Sequence, residues 1–195
     1  TNQNYPMPAM PEGVEQGIID GMYCLEHSEQ ATVNLFGSGA IMAEVRDAKA
    51  MLEELGLVCN LWSVTSYNEL ARQGQAAERE RLLAVGAQEE APRPLVEELL
   101  EDQGGIFVAA SDYMRALPQS ITQWLPGPCA VLGTDGFGLS EARDVLRDHF
   151  EVSAAWIAFA ALSTLAQHNL GDANRAMEFA AEQQLDLHKA DPFVS

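Results

Sequence analysis

The sequence predicts a three-layer α/β/α domain built on a mostly parallel sheet, and three stretches carry that prediction. Thr32–Phe36, an apolar helical stripe from Ile41 to Leu55, and Leu57–Val64 form strand, helix and strand within about 30 residues, the length of a right-handed crossover between parallel strands. Ile106–Ala110 is a third short apolar run, introduced by Gly104-Gly105. Cys129–Phe150 contains a strand, a glycine turn and a helix in one piece.

From the start of the chain, prolines at 6, 8 and 11 hold the first residues extended, as in a linker arriving from an upstream domain. From Glu12 to Leu25 the residues Val14, Ile18, Met22 and Leu25 recur at helical spacing, weakened by Gly13, Gly17 and Gly21. Residues 1–30 therefore read as a linker and short helix, with an apolar strip of Val14, Ile18 and Met22 to lay against another domain. The α/β unit is placed at residues 31–195. Gly37-Ser-Gly39 ends the first strand, and Gly56 caps the helix that follows.

A helix starts at Ser66 with Tyr67, Leu70 and Ala71, and its Glu78-Arg-Glu-Arg81 reads as a solvated face. Residues 84–102 are a surface segment with a short helix over Leu95–Leu100. Met114, Leu117, Ile121 and Trp124 suit a helix that Pro118 interrupts. Cys129–Leu132 is read as a central strand buried on both faces. Ser140 should cap the next helix, with Glu141 in its first turn and Ala142, Val145, Leu146 and Phe150 on its inner face. Ala154–Gln167 is apolar enough to be a core helix, and Asn174–Gln184, with Met177, Ala181 and Leu185, is amphipathic.

Composition excludes several function classes. A chain of 195 residues suits one domain that buries about 70% of its unfolded surface. Its 29 acidic against 11 basic residues give a formal net charge of −18, which opposes nucleic acid and anionic membranes. Neither a leader nor a continuous apolar run of about 20 residues is read. Cys24, Cys59 and Cys129 are odd in number and lack paired or metal-binding spacing, so reduced thiols in a cytoplasmic protein are expected.

No residue is assigned as catalytic, cofactor-binding or metal-binding. None of His27, His149, His168 and His188 has a recognisable nucleophile or metal partner. His149 falls at a helix end, where an imidazolium meets the negative end of the dipole. Asp112-Tyr113 follows a strand at the carboxyl edge, where open sheets place ligands, although capping by Ser111 or Asp112 explains it as well. Gly133, Gly136 and Gly138 follow G-x-x-G-x-G, which departs from the dinucleotide and P-loop patterns and has no following lysine.

Several segments together resemble one family. Pro6-Met-Pro-Ala-Met-Pro-Glu-Gly13, Leu35-Phe-Gly-Ser-Gly39, Ser63-Val-Thr-Ser66 with Glu69-Leu-Ala-Arg72, Ala110-Ser-Asp-Tyr-Met114, Gly133-Thr-Asp-Gly-Phe-Gly138 and Leu146–Val152 are similar, in order, to the C-terminal domain of the homodimeric bacterial pyruvate dehydrogenases, which are transketolase-like. Glu80, Arg81 and Leu139 depart from that pattern. The resemblance implies a piece of an acetyl-transferring enzyme that uses thiamine diphosphate with Mg²⁺ and hands acetyl groups to the lipoyl group of a dihydrolipoyl acetyltransferase component. It also implies that the cofactor motif lies in upstream domains, because Thr134-Asp-Gly136 does not supply it, and that this domain binds no cofactor alone. The domain would be structural, supporting a homodimer. The alternative is an acidic α/β module whose turns at Gly37 and Gly133 grip a small anion.

Overall fold

The computed structural model describes residues 9–86 and 92–193. Strands β1 (Met22–Glu26), β2 (Val33–Gly37), β3 (Cys59–Val64), β4 (Ile106–Ala110) and β5 (Cys129–Leu132) form one sheet in the order β1-β3-β2-β4-β5. β1 runs antiparallel to β3, and the other pairings are parallel. Among the described residues the helices are α1 (Glu15–Asp20), α2 (Met42–Glu54), α3 (Tyr67–Leu83), α4 (Leu95–Leu100), α5 (Ala116–Gln119), α6 (Arg143–His149), α7 (Ala154–Gln167) and α8 (Ala173–Glu182).

The period-2 alternation of strand side chains separates two cores. Val33, Leu35, Cys59, Leu61, Ile106 and Val108 face α2 and α7, with Phe179 of α8 packed outside. Phe36, Trp62, Val64, Phe107 and Ala109 face Tyr67 and Leu70 of α3 and Val96 and Leu100 of α4. This is the expected three-layer architecture. The segment Arg143–Gln167 has the length and composition to cross a membrane, but Glu151 at φ 59° breaks it, and more than half of its most apolar stretch is buried inside the domain.

The second core also holds two interior asparagines side by side. Asn34 and Asn60 are register partners on β2 and β3, and both are wholly buried. The Asn34 Oδ1 accepts from Trp62 Nε1 (3.1 Å) and Asn60 Nδ2 (3.2 Å), while its Nδ2 donates to the Gly104 carbonyl (3.1 Å). Asn60 also donates to Gln103 Oε1 (2.7 Å) and accepts from the Ser28 amide (2.6 Å). A slip of one residue would put these amides on the opposite face, so the network fixes the strand register.

The structure corrects several sequence expectations. The helix read from Glu12 to Leu25 ends at Asp20, because Gly21 takes φ 112° and its N–H closes on the Gly17 carbonyl (3.0 Å). Gly17 lets the chain fold back sharply, since a Cβ there would lie 2.8 Å from Tyr23 Cβ. Met22 and Leu25 thus enter an edge strand, with Met22 only 1% exposed, and the sheet begins before residue 31. Of the expected apolar strip, Val14 and Ile18 are half-buried on or beside α1 while Met22 turns into the sheet, so the three do not share one helix face. Pro6 and Pro8, read as holding the first residues extended, lie outside the described residues.

β5 is an edge strand with half-buried side chains, not the central one; β2 is central. α6 begins at Arg143, three residues beyond Ser140, because the loop continues through Gly136 at φ 80° and Ala142 remains extended. Glu141 accepts from the Ala142 amide (2.9 Å), and Val145 is exposed. In α8 the buried face is Ala176, Phe179 and Ala180; Met177 and Ala181 point outward. Glu78 is not merely solvated, since it accepts from Trp124 Nε1 at 2.9 Å.

Candidate functional site

Parallel strands deliver their following loops to one edge of the sheet, and the turn in strand order around β2 opens a crevice there. β2 is flanked by β3 and β4, so the loops after β2 and β4 diverge. Between them lies an open groove of about 520 Å³, lined by Ala40 from the first loop and Asp112 from the second. Thr134, Gly138 and Leu139 come from the loop after β5, Arg143, Leu146 and Arg147 from α6, and Phe150 and Val152 from the turn into α7.

Each loop is held by its own sequence. A Cβ on Gly37 would lie 3.0 Å from Met42 Cε and 3.2 Å from Val45 Cγ2, so the glycine admits α2 close to the strand end. Ser111 is buried, and its hydroxyl accepts from the Tyr113 amide (3.0 Å), leaving Asp112 turned into the groove. A Cβ on Gly133 would stand 2.7 Å from the Tyr113 carbonyl oxygen, and the Thr134 amide bonds to that carbonyl at 2.8 Å.

A polar strut crosses the groove wall. Arg147 Nη1 donates to Glu44 Oε1 (2.7 Å), and Glu44 Oε2 accepts from the Ala154 amide (2.8 Å). These three residues tie α2, α6 and the start of α7 together, with both charged side chains largely shielded from solvent. Arg147 Nη2 reaches the Ala40 carbonyl only at 3.5 Å. Asp112 is open to water at its surface, yet the protein behind it desolvates its carboxyl enough to push the pKa above the ordinary aspartate value; Glu44 adds to that, while Arg147 and the Ile41 amide act against it.

The glycine turns offer less to an anion. At Gly133 the Asp135 carboxylate takes the Arg115 amide (3.0 Å) and pairs with its guanidinium, filling the place an external anion would occupy. At Gly37 the turn is backed by Met42 and Val45. His149 sits in the last turn of α6 with its ring 4.9 Å from Phe150, edge to face. His27, His168 and His188 are exposed in separate segments. Burial pushes the thiols of Cys59 and Cys129 to about 12 and raises that of Cys24, and all three are free. The sequence pointed to Asp112 but missed Arg143, Arg147 and Glu44; only their places on the two helix faces would have indicated them.

Fold and site together define an α/β domain of the transketolase C-terminal class. The chain belongs to the transketolase-like TK C-terminal domain family, whose model matches residues 21–153. It is 41% identical over 196 residues to the "Pyruvate dehydrogenase E1 component" of Pseudomonas aeruginosa and, equally, of Escherichia coli K12, covering 98% of this chain and 22% of theirs. The protein of that name from Mycolicibacterium smegmatis is 35% identical over 190 residues. The chain thus spans about a fifth of the length of these relatives. Among solved structures, Campylobacter jejuni transketolase aligns at TM-score 0.51 and 18% identity, covering 81% of this chain and 20% of that one. A transketolase from Pichia stipitis aligns at 0.54 and 19%, covering 80% and 20%. These two share the fold.

Proposed function

We propose that this chain is the C-terminal domain of a pyruvate dehydrogenase of the E1 type, and that it braces the catalytic domains and the dimer without contributing a catalytic residue. The observation that carries this reading is 41% identity maintained over 98% of the chain. The arrangement of charge at the carboxyl edge supports the bracing role, because Arg147 and Arg115 are committed to Glu44 and Asp135 in contacts that join separate elements. The whole enzyme would decarboxylate pyruvate with thiamine diphosphate and Mg²⁺ and acetylate the lipoyl group of the dihydrolipoyl acetyltransferase component, in the cytoplasm. Its partners would be the upstream domains, a second copy and that component.

Thiamine diphosphate and its metal do not fit this domain. The nearest motif, Thr134-Asp-Gly136, has its carboxylate occupied by Arg115, and no group of three or more His, Cys, Asp or Glu capable of holding a metal occurs among the described residues. The test compares the parent enzyme with a version ending before residue 1. The truncated enzyme should lose dimerisation and acetyl transfer while the 195-residue chain alone shows no calorimetric binding of thiamine diphosphate with Mg²⁺. A truncated enzyme that remains dimeric and fully active would overturn the bracing role.

A further inference from the structure

The groove between the loops after β2 and β4 is not consumed by the bracing role, and its lining has a definite chemical character. Its volume of about 520 Å³ falls within the range of small-molecule sites. Leu139, Leu146, Phe150 and Val152 supply an apolar surface, while Asp112 and the two guanidiniums of Arg143 and Arg147 supply opposite charges on the same walls. A simple anion would meet Asp112, and a simple cation would meet the arginines. A ligand carrying both charges on groups attached to one carbon, with an apolar body, satisfies all three features.

We propose that this groove binds a small apolar α-amino acid, with its ammonium on Asp112, its carboxylate on the Arg143 and Arg147 side, and its side chain against Leu146 and Phe150. Two further observations support this placement. Glu44 holds Arg147 through Nη1 at 2.7 Å, so the guanidinium is positioned before a ligand arrives, while among the described residues Nη2 makes a long 3.5 Å contact with the Ala40 carbonyl. Preorganised donors of this kind bind without a large ordering cost. In addition, the Asp112 carboxyl is desolvated and incompletely compensated by its neighbours, so an ammonium would gain a charge-assisted bond there. The inference concerns the domain itself and does not depend on the enzymatic reading.

The test uses the 195-residue chain, L-phenylalanine, and two analogues that each lack one charge, 3-phenylpropanoate and 2-phenylethylamine. Amide shifts followed by NMR during titration should saturate for phenylalanine in the millimolar range or below and map to residues 40, 112, 134 and 138–147. Each analogue should bind about tenfold or more weakly, the scale of one lost charged hydrogen bond. Asp112→Asn should weaken phenylalanine about tenfold while leaving 3-phenylpropanoate unchanged or tighter, and Arg143→Gln should do the reverse with 2-phenylethylamine. Circular dichroism checks that both variants stay folded, and the analogue series tests the proposal without them. Absence of saturation, shifts mapping elsewhere, or 3-phenylpropanoate binding as tightly as phenylalanine would each overturn it.

Discussion

Replacing Asn34 with leucine tests the interior amide network directly, because the substitution keeps the number and branching of heavy atoms and replaces the polar groups by methyls. The change strips the sole described acceptor from Trp62 Nε1, a nearly buried indole, and an orphaned buried donor costs about 1–3 kcal/mol. Asn60 keeps its bond to Gln103, but its second amide N–H, also buried, loses Asn34 Oδ1, adding about 1 kcal/mol. The Gly104 carbonyl loses a part-buried partner, adding about 1 kcal/mol, and the leucine returns about 1 kcal/mol through apolar burial. The net loss is about 3 kcal/mol, which for a chain of this size lowers Tm by about 9 °C. Urea unfolding followed by tryptophan fluorescence and far-UV circular dichroism measures it. In the double variant Asn34→Leu, Trp62→Phe the indole donor is gone as well, so the losses should fall short of additive by about 1 kcal/mol. A loss under about 0.5 kcal/mol, or strict additivity, would refute the claim that the network secures the strands.

Four other outcomes follow from the same packing. Gly74→Ala should destabilise despite the better helix propensity of alanine, worth about 1 kcal/mol, because the new Cβ would lie 2.3 Å from Trp124 Cη2; a Trp124→Leu background should reverse the sign in thermal melts. Tyr67→Phe should raise stability by about 1 kcal/mol in urea titrations, since the Tyr67 hydroxyl is buried with no hydrogen-bond partner among the described residues. Because the Asp112 pKa is raised in the folded state, the native form binds its proton more tightly, and stability must fall as pH rises from about 4 through the raised value. Asp112→Asn should therefore match the wild type below that window in pH-dependent melts and exceed it above. Native iodoacetamide labelling should be slow at Cys59 and Cys129, whose thiols titrate near 12, whereas all three cysteines should label once unfolded; a pair resistant after unfolding without reductant would reveal a disulfide.

Elements whose signals are local could be read from the sequence. Ile106–Ala110, Leu95–Leu100 and Ala154–Gln167 have the boundaries that their apolar runs and flanking glycines, prolines and serines indicate. Strand order was not legible, since Cys-Ala-Val-Leu reads the same at an edge as at the centre, and only pairing with β4 decides. The Met22–Leu25 segment continued the helical spacing of Val14 and Ile18, although a run of Met-Tyr-Cys-Leu also suits a strand. Its antiparallel pairing with β3, 42 positions from Met22 to Val64 along the chain, settled the conflict. Asn34 and Asn60 looked like ordinary polar residues in strands, and their interior placement follows from a register that the sequence states nowhere locally.

The site was legible in the same uneven way, and the reason bears on what the domain does. Asp112 announced itself by following a strand, but Arg147 acquires meaning only when α6 brings it to Glu44, a residue 103 positions earlier. That contact fastens three elements at the carboxyl edge and, by the same geometry, fixes a guanidinium on the groove wall. Rigidity there would therefore serve the proposed bracing and the proposed recognition at once, because a brace holds load through groups that cannot reorient, and a binding site gains affinity from the same restriction. Bracing and ligand binding are thus compatible roles for a single strut.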